Sequence, residues 1–236
     1  MIAVPRRFRL VLAGALVLAL GVAAQGWPGP WRPLEGDGQP AATAPADLTG
    51  DTLAVLYSGD GGWAALDKGL ADGLARGGLP VIGYNSLRYF ASPRTPDTAA
   101  ADLAAALRRQ MAVWGKDRIV LVGFSFGANA LPVIVPRLPA DLRARIRLVA
   151  LVSPGPTGDL HFTPTSWLNH GTSDAFPLPP AVAALRGQPV VCIYGDREAH
   201  ATCPILPVRR ILLHGGHHYD GDYDSLTRTI LQALPT

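Results

Sequence analysis

The stretch Ile119-Val120-Leu121-Val122-Gly123-Phe124-Ser125-Phe126-Gly127-Ala128-Asn129-Ala130-Leu131 decides the fold. Its leading residues are apolar and β-favouring without a polar break, as in a strand buried on both faces. Past the glycine-flanked serine the spacing becomes helical and continues to Val135. A strand that feeds straight into a helix is half of a right-handed crossover between parallel strands. The same alternation extends outward in both directions. Leu53–Ser58, Leu79–Tyr84, Arg147–Ser153, Pro189–Gly195 and Val208–His214 read as strands beside Arg118–Phe124. Leu66–Ala75, Thr98–Val113 and Tyr223–Leu234 carry helical spacing, the second with Leu103, Leu107 and Met111 on one side and Arg108 and Arg109 opposite. The expectation is an α/β fold, a mostly parallel sheet of about six strands with helices on both faces. Ligands of such sheets bind beyond the carboxyl ends of the strands.

At one such end, Gly123-Phe124-Ser125-Phe126-Gly127 has the form G-x-S-x-G in the context this motif requires, after a buried strand and opening a helix. A nucleophile on so sharp a turn is pushed towards strained backbone angles, and a side chain at 123 or 127 would collide with the crossing helix. The helix N-terminus beneath Ser125 favours developing negative charge. Ser125 needs a base and an orienting acid, which in a minimal α/β-hydrolase follow in the order acid, then histidine. His217, after Gly215-Gly216 and before one residue and an aromatic, is the expected base, with His218 as the alternative. The preceding strand ends in Gly195-Asp196-Arg197-Glu198. The acid commonly sits three residues after such a glycine, which selects Glu198 over Asp196; the latter would then cap the turn or pair with Arg197.

The oxyanion hole needs a second backbone N–H besides that of Phe126. Tyr57-Ser58-Gly59-Asp60-Gly61-Gly62-Trp63 supplies a glycine-rich loop after the first strand, with Gly59 and Asp60 as candidate donors. No G-K-[ST] follows, so the loop is not a phosphate cradle.

The net charge of +3 and pI near 9.1 suggest a binder of nucleic acid until the charges are located. Three of the 21 basic residues, Arg6, Arg7 and Arg9, open the chain, and the remaining 18 are matched by 18 acidic ones. The excess therefore belongs to an export signal: a basic start, an apolar run from Leu10 to Ala24, and Val22-Ala23-Ala24 before a cleavage point. The run falls short of the roughly 20 residues of a spanning helix, so a cleaved signal over 1–24 is favoured over an inner-membrane anchor. Residues 25–50, with Pro28, Pro30, Pro33, Pro40 and Pro45, read as a tether, leaving 51–236 as the folded domain. Export also brings the two cysteines into an oxidising compartment, where Cys192 and Cys203 are expected to pair around the Glu198 turn.

Together, Tyr57–Trp63, Ser86-Leu87-Arg88-Tyr89-Phe90, Arg94-Thr95-Pro96, Gly123–Ala128 and Gly215–Tyr223 resemble the VirJ family of bacterial virulence proteins and its longer AcvB relatives, over about Leu53 to Leu231. The resemblance implies a periplasmic serine hydrolase that cleaves the aminoacyl ester of lysyl-phosphatidylglycerol or a related ester at a membrane surface. It also implies a link to type IV secretion, so a non-catalytic accessory factor with a secretion-system partner is the rival reading. Asn129 departs from the aspartate that relatives often carry. Neither metal nor cofactor is needed for the ester chemistry. For such a substrate, Asp60, Asp220, Asp222 and Asp224 could face a lysyl ammonium or cap the last helix; Arg88 and Arg94 could face a lipid phosphate or pair with carboxylates. Trp63 is a further substrate-binding candidate.

Two metal readings compete and are rejected. Asp220, Asp222 and Asp224 begin like a calcium loop, but its twelfth position is Leu231 where a glutamate is required. His214, His217 and His218 beside the serine elbow fit a base and its neighbours better than a zinc set. Finally, Gly155–Pro180, rich in Pro, Thr and aromatics including Phe162, Trp167 and Phe176, is a lid or loop over the site, too short for an independent cap.

Overall fold

The computed structural model describes residues 41–43, 48–163 and 174–235. The stretch expected to be an export signal, most of the one read as a tether, and Trp167 lie outside the described residues.

The expected parallel sheet forms, with one addition. In chain order its strands are β1 (Ala41–Thr43), β2 (Thr52–Tyr57), β3 (Val81–Tyr84), β4 (Arg118–Phe124), β5 (Ile146–Val152), β8 (Val190–Gly195) and β9 (Arg209–Leu213), while β6 (Thr157–Gly158) and β7 (Phe176–Pro177) pair separately. Spatially the order is β1-β3-β2-β4-β5-β8-β9. The six strands from β2 to β9 in this sheet are parallel, whereas β1 runs antiparallel along β3, within the stretch read as a tether.

The pleat divides the core into two layers. Leu53, Val55 and Tyr57 of β2, with Ile119 and Leu121 of β4, point to one face. There they meet the helix Pro96–Trp114 through Leu103 and Leu107, and the helix Phe126–Ile134 through Leu131 and Ile134. Ala54, Leu56, Val120 and Val122 are fully buried on the other face, on the side of the paired helices Ala65–Arg76 and Tyr223–Gln232. Each buried leucine is worth about 1.5–3 kcal/mol, so sheet strands with no exposed face are the reason their apolar runs show no alternation.

The chain passes from β2 to β3 on one side, then returns across β2 to β4 on the other. This reversal opens a crevice at the carboxyl ends of β2 and β4, where two connections diverge. Tyr57 and Gly123 are register partners there. The loop after β2 and the elbow after β4 therefore start side by side.

Below the sheet, Lys116 is almost wholly buried and donates to the carbonyls of Leu48, Thr49 and Gly50 at 2.8–3.0 Å. It follows Gly115, whose left-handed φ of 62° ends the helix Pro96–Trp114. One ammonium thus gathers three carbonyls leading into β2. Charge-assisted bonds of this kind contribute about 1.5–3 kcal/mol. Lys116→Met is expected to lower stability by about 2–4 kcal/mol in urea unfolding without changing the m-value. An unshifted midpoint would show that the clamp contributes nothing.

Candidate active site

The elbow is built by close approach. A Cβ at position 123 would run into the backbone of Gly127 and Ala128, and one at 127 into the backbone of Tyr57. Only glycine lets the helix Phe126–Ile134 cross so near β4 and β2. Between them Ser125 takes φ 50°, ψ −111°, a region that costs an L-residue of order 1–3 kcal/mol. Its backbone is held by Ser125 N–H donating to Val152 O at 2.8 Å and by Gly127 N–H donating to Ser58 O at 3.2 Å.

Three side chains converge on this point. His217 Nε2 lies 3.1 Å from Ser125 Oγ, and His217 Nδ1 lies 2.6 Å from Glu198 Oε1. Glu198 is nearly buried, at 10% side-chain exposure, while His217 keeps 40%. Burial raises the Glu198 carboxyl, but the bonds from His217 and Ser153 outweigh it and hold the group below the usual glutamate value. With Glu198 ionised, Nδ1 carries the proton and Nε2 is free to accept one from Ser125.

Asp196 and His218, the alternatives in the sequence, are engaged elsewhere. Asp196 accepts from Gly215 N–H at 2.8 Å and lies 3.0 Å from His214 Nδ1, capping the turn after β9. Those two contacts keep its carboxyl low. His218 packs against Phe124 and His217, with ring centroids 5.4 and 5.3 Å away, and its pKa is lowered by burial and then by His217.

The loop after β2 reaches the serine. A Cβ on Gly59 would lie 3.6 Å from that of Ser125 and 3.1 Å from the Phe124 ring. Ser58 Oγ accepts from Ser86 N–H at 2.9 Å and donates to Gly59 O at 3.1 Å, which fixes the start of the loop. Its far end is fixed by the buried Asp67, whose Oδ2 accepts from Ala64 N–H at 3.0 Å. The Gly59 amide also lies towards Asp67 and lowers its pKa, although burial dominates and pushes that carboxyl up to about 7. Asp67 has no counterpart in the sequence reading; an acidic residue in the first turn of a helix, where it can accept from the preceding backbone N–H, is the signal that could have found it.

A cleft of ≈ 410 Å³ opens beside the serine, lined by Ser125, Asn129, Ser153, Glu198, His200 and His217, with Pro154–Pro156 and Arg197 as walls. Trp63 and Arg88 do not line it. The Trp63 ring lies over Gly83 of β3, and Arg88 stands exposed on the short helix Ser86–Tyr89. Asp220 pairs with Arg197. Asp222 caps the last helix by accepting from Ser225 N–H at 3.0 Å, and Asp224 pairs with Arg76 at 3.1 Å. Arg94 bonds Asp102 at 3.3 Å over the Tyr89 ring. Of the charged groups named for the substrate, Asp60 is exposed, near enough to His218 to favour its charged form. Among the described residues no group of three or more His, Cys, Asp or Glu side chains could hold a metal ion.

Cys192 and Cys203 form a disulfide, both fully buried, closing the loop that carries Asp196 and Glu198. The segment read as a lid is tied down at both flanks. Phe162 N–H donates to Phe90 O at 2.7 Å, and Gly158 packs beneath the Phe176 ring.

The family model of bacterial virulence protein VirJ matches residues 51–236. No curated protein matches this chain in sequence. Among solved structures, an alpha-beta serine hydrolase homologue from Coxiella burnetii is 17% identical at a TM-score of 0.55, over 83% of this chain and 91% of that one. The esterase Pf2001 of Pyrococcus furiosus is 15% identical at 0.56, over 89% and 99%. Est1E from Butyrivibrio proteoclasticus, solved with ferulic acid, is 13% identical at 0.57, over 82% and 92%. Likeness at these identities shows a shared α/β-hydrolase fold.

Two expectations follow from the site's scaffold. Replacing both cysteines by alanine should cost about 2–3 kcal/mol, the value for a loop of this length, and reduction of the parent should add the mass of two hydrogens; two free thiols in oxidised material would exclude the bridge. The folded Asp67 value of about 7 lies above the ordinary 3.8, so the native state binds that proton more tightly and stability falls as pH rises between them. Asp67→Asn should therefore gain stability relative to the parent as pH rises from about 4 to 7. A flat difference would contradict the burial of an ionisable carboxylate there.

Proposed function

The chain belongs to the VirJ family of bacterial virulence proteins, and from that premise we propose that it is an exported serine hydrolase acting on the aminoacyl ester of lysyl-phosphatidylglycerol or a related ester. The observation that carries the proposal is the unbroken line Glu198–His217–Ser125, with contacts of 2.6 and 3.1 Å, ending at a cleft. A non-catalytic binding factor has no physical need for an aligned acid, base and strained serine.

In this reading Ser125 Oγ attacks the aminoacyl carbonyl as His217 Nε2 takes its proton. The carbonyl oxygen becomes negative and is received by the amide of Phe126 and by one from the loop after β2, at Gly59 or Asp60. Phe126 opens its helix, so its N–H has no intrahelical partner, and the helix dipole adds to the attraction. His217 then returns the proton to the departing glycerol hydroxyl, leaving an acyl-enzyme on Ser125. Water, activated by the same imidazole, releases the amino acid. Glu198 stays ionised throughout and stabilises the imidazolium.

A lipid substrate requires approach to a membrane surface. Ile205 and Leu212 are exposed apolar side chains, and neighbouring Arg209 and Arg210 have no carboxylate partner among the described residues. Apolar and cationic groups together suit an anionic bilayer. Asp60 is exposed and enters no arginine or lysine ion pair among the described residues, which suits it to meet a lysyl ammonium. Export to the periplasm supplies the compartment.

The test is incubation with vesicles of lysyl-phosphatidylglycerol and, separately, with simple aryl esters. The parent should release lysine, and Ser125→Ala should lower both rates by at least about 10³-fold. Ester cleavage without lysine release would remove the lipid substrate but keep the hydrolase; absence of both activities would defeat the proposal.

A further inference from the structure

We infer that Ser153 and Tyr219 are positioning residues that hold Glu198 against His217, one by gripping its second carboxylate oxygen and the other by tying the histidine turn to the strand that carries the acid. The inference rests on reading Ser125, His217 and Glu198 as a catalytic line, and it adds two residues that the reading leaves idle.

The backbone draws attention to them first. Among the described residues, the non-glycine residues with left-handed φ are Ser125 at 50°, Ser153 at 48°, Tyr219 at 53° and Asp220 at 51°. All four surround the same site. Strained angles of this kind persist where surrounding contacts over-determine them, which is the usual situation at functional centres. Ser125 has its explanation in the elbow. Ser153, the first residue beyond β5, and Tyr219, two residues beyond His217, need one of their own.

Proton counting supplies it. Ser153 Oγ lies 2.9 Å from Glu198 Oε2 and 2.8 Å from Tyr219 Oη, and Tyr219 Oη lies 3.1 Å from Ile193 O. These are three contacts served by two hydroxyl protons. An ionised carboxylate and a backbone carbonyl only accept. Ser153 must therefore spend its proton on Glu198, and Tyr219 shares its own between Ser153 Oγ and Ile193 O. The chain of donors runs one way, from Tyr219 through Ser153 to the acid, and it runs that way only while Glu198 is charged.

The consequence is mechanical as well as electrostatic. Glu198 Oε1 faces His217, while Oε2 is held by Ser153 and, at 3.4 Å, by Gly195 N–H. A carboxylate gripped at both oxygens cannot rotate away from the imidazole. The hydroxyls of Ser153 and Tyr219 are buried, which strengthens the bonds they make. Tyr219 serves a second end. Its amide donates to Gly216 O at 3.0 Å, closing the turn that presents His217, while its hydroxyl reaches Ile193 on β8. Ile193 O also accepts from Ser153 N–H at 2.8 Å. One carbonyl of the acid's strand thus anchors both residues, and base and acid are referred to a common point. Besides His217, the groups His218 and Tyr219 sense the Glu198 charge.

The variants that test this are Ser153→Gly and Tyr219→Phe. Glycine relieves the left-handed backbone while deleting the hydroxyl, so Ser153→Gly should fold with an unchanged or higher melting temperature. Against the aryl ester, kcat/KM is expected to fall about 10- to 100-fold, with KM within about twofold of the parent. Without the Ser153 donor the carboxylate becomes more basic and binds the His217 proton harder. The acid limb of the kcat/KM profile should therefore move to higher pH. Tyr219→Phe should show the same pattern with a smaller loss, and Ser153→Ala should match Ser153→Gly in activity. A second readout does not need turnover: the proton between His217 Nδ1 and Glu198 should give a far-downfield NMR signal in the parent and a displaced or broadened one in Ser153→Gly. Parent-like kcat/KM, acid limb and NMR signal in both variants would overturn the inference. A parent that hydrolyses nothing, yet shows the downfield proton and its displacement, would defeat the hydrolase reading and leave the positioning network standing.

Discussion

The crossing of the helix Phe126–Ile134 over the ends of β2 and β4 is the constraint from which the rest of the site follows. Backbone meets backbone at Gly123 and at Gly127, so no side chain fits at either position. The one residue that can carry chemistry between them is lifted out of the sheet at φ 50°. Its hydroxyl then stands above the sheet, at the start of a helix and opposite the loop that leaves β2. Move the helix outward by the width of a methyl group and the serine loses both the helix terminus and the neighbouring loop at once.

Around that fixed point the charges are arranged in pairs that leave few open ends. Asp196 caps the histidine turn, Asp220 holds Arg197, Asp222 caps the last helix, and Asp224 pairs with Arg76 of the helix beside it. Glu198 is thereby the carboxylate that remains for His217, and the disulfide closes its loop from behind. The strain at Ser125, Ser153, Tyr219 and Asp220 is of order 1–3 kcal/mol for each residue. A domain that is stable by only 5–15 kcal/mol cannot carry that load casually. The apolar layers on the two sheet faces offset it.

Much of this was legible in the sequence, for identifiable reasons. Strands buried on both faces declare themselves as unbroken apolar runs, so β2, β4, β5 and β8 could be read within a residue or two of their ends. Gly123-Phe124-Ser125-Phe126-Gly127 is legible because its glycines are demanded by local geometry. What escaped depends on tertiary direction. Ala41–Thr43 has too little length and no periodicity to announce an edge strand in a proline-rich stretch. The spacing after Gly195 selects Glu198; what it does not show is that the Gly215 amide occupies Asp196, the alternative. Nothing in the local spacing of Trp63 shows that its ring lies over Gly83 of β3, where no side chain stands in the way. Ser153 reads as an unremarkable end of a strand; its meaning lies in Glu198, 45 positions away.

The central claim is that Ser125 is a nucleophile activated by His217 and Glu198. Its most direct test is treatment of the purified protein with a fluorophosphonate near neutral pH, followed by intact-mass measurement and peptide mapping. The account predicts a single adduct per chain, located on Ser125, that forms far more slowly in His217→Ala. No adduct, or an adduct on another residue with Ser125 unmodified, would contradict it.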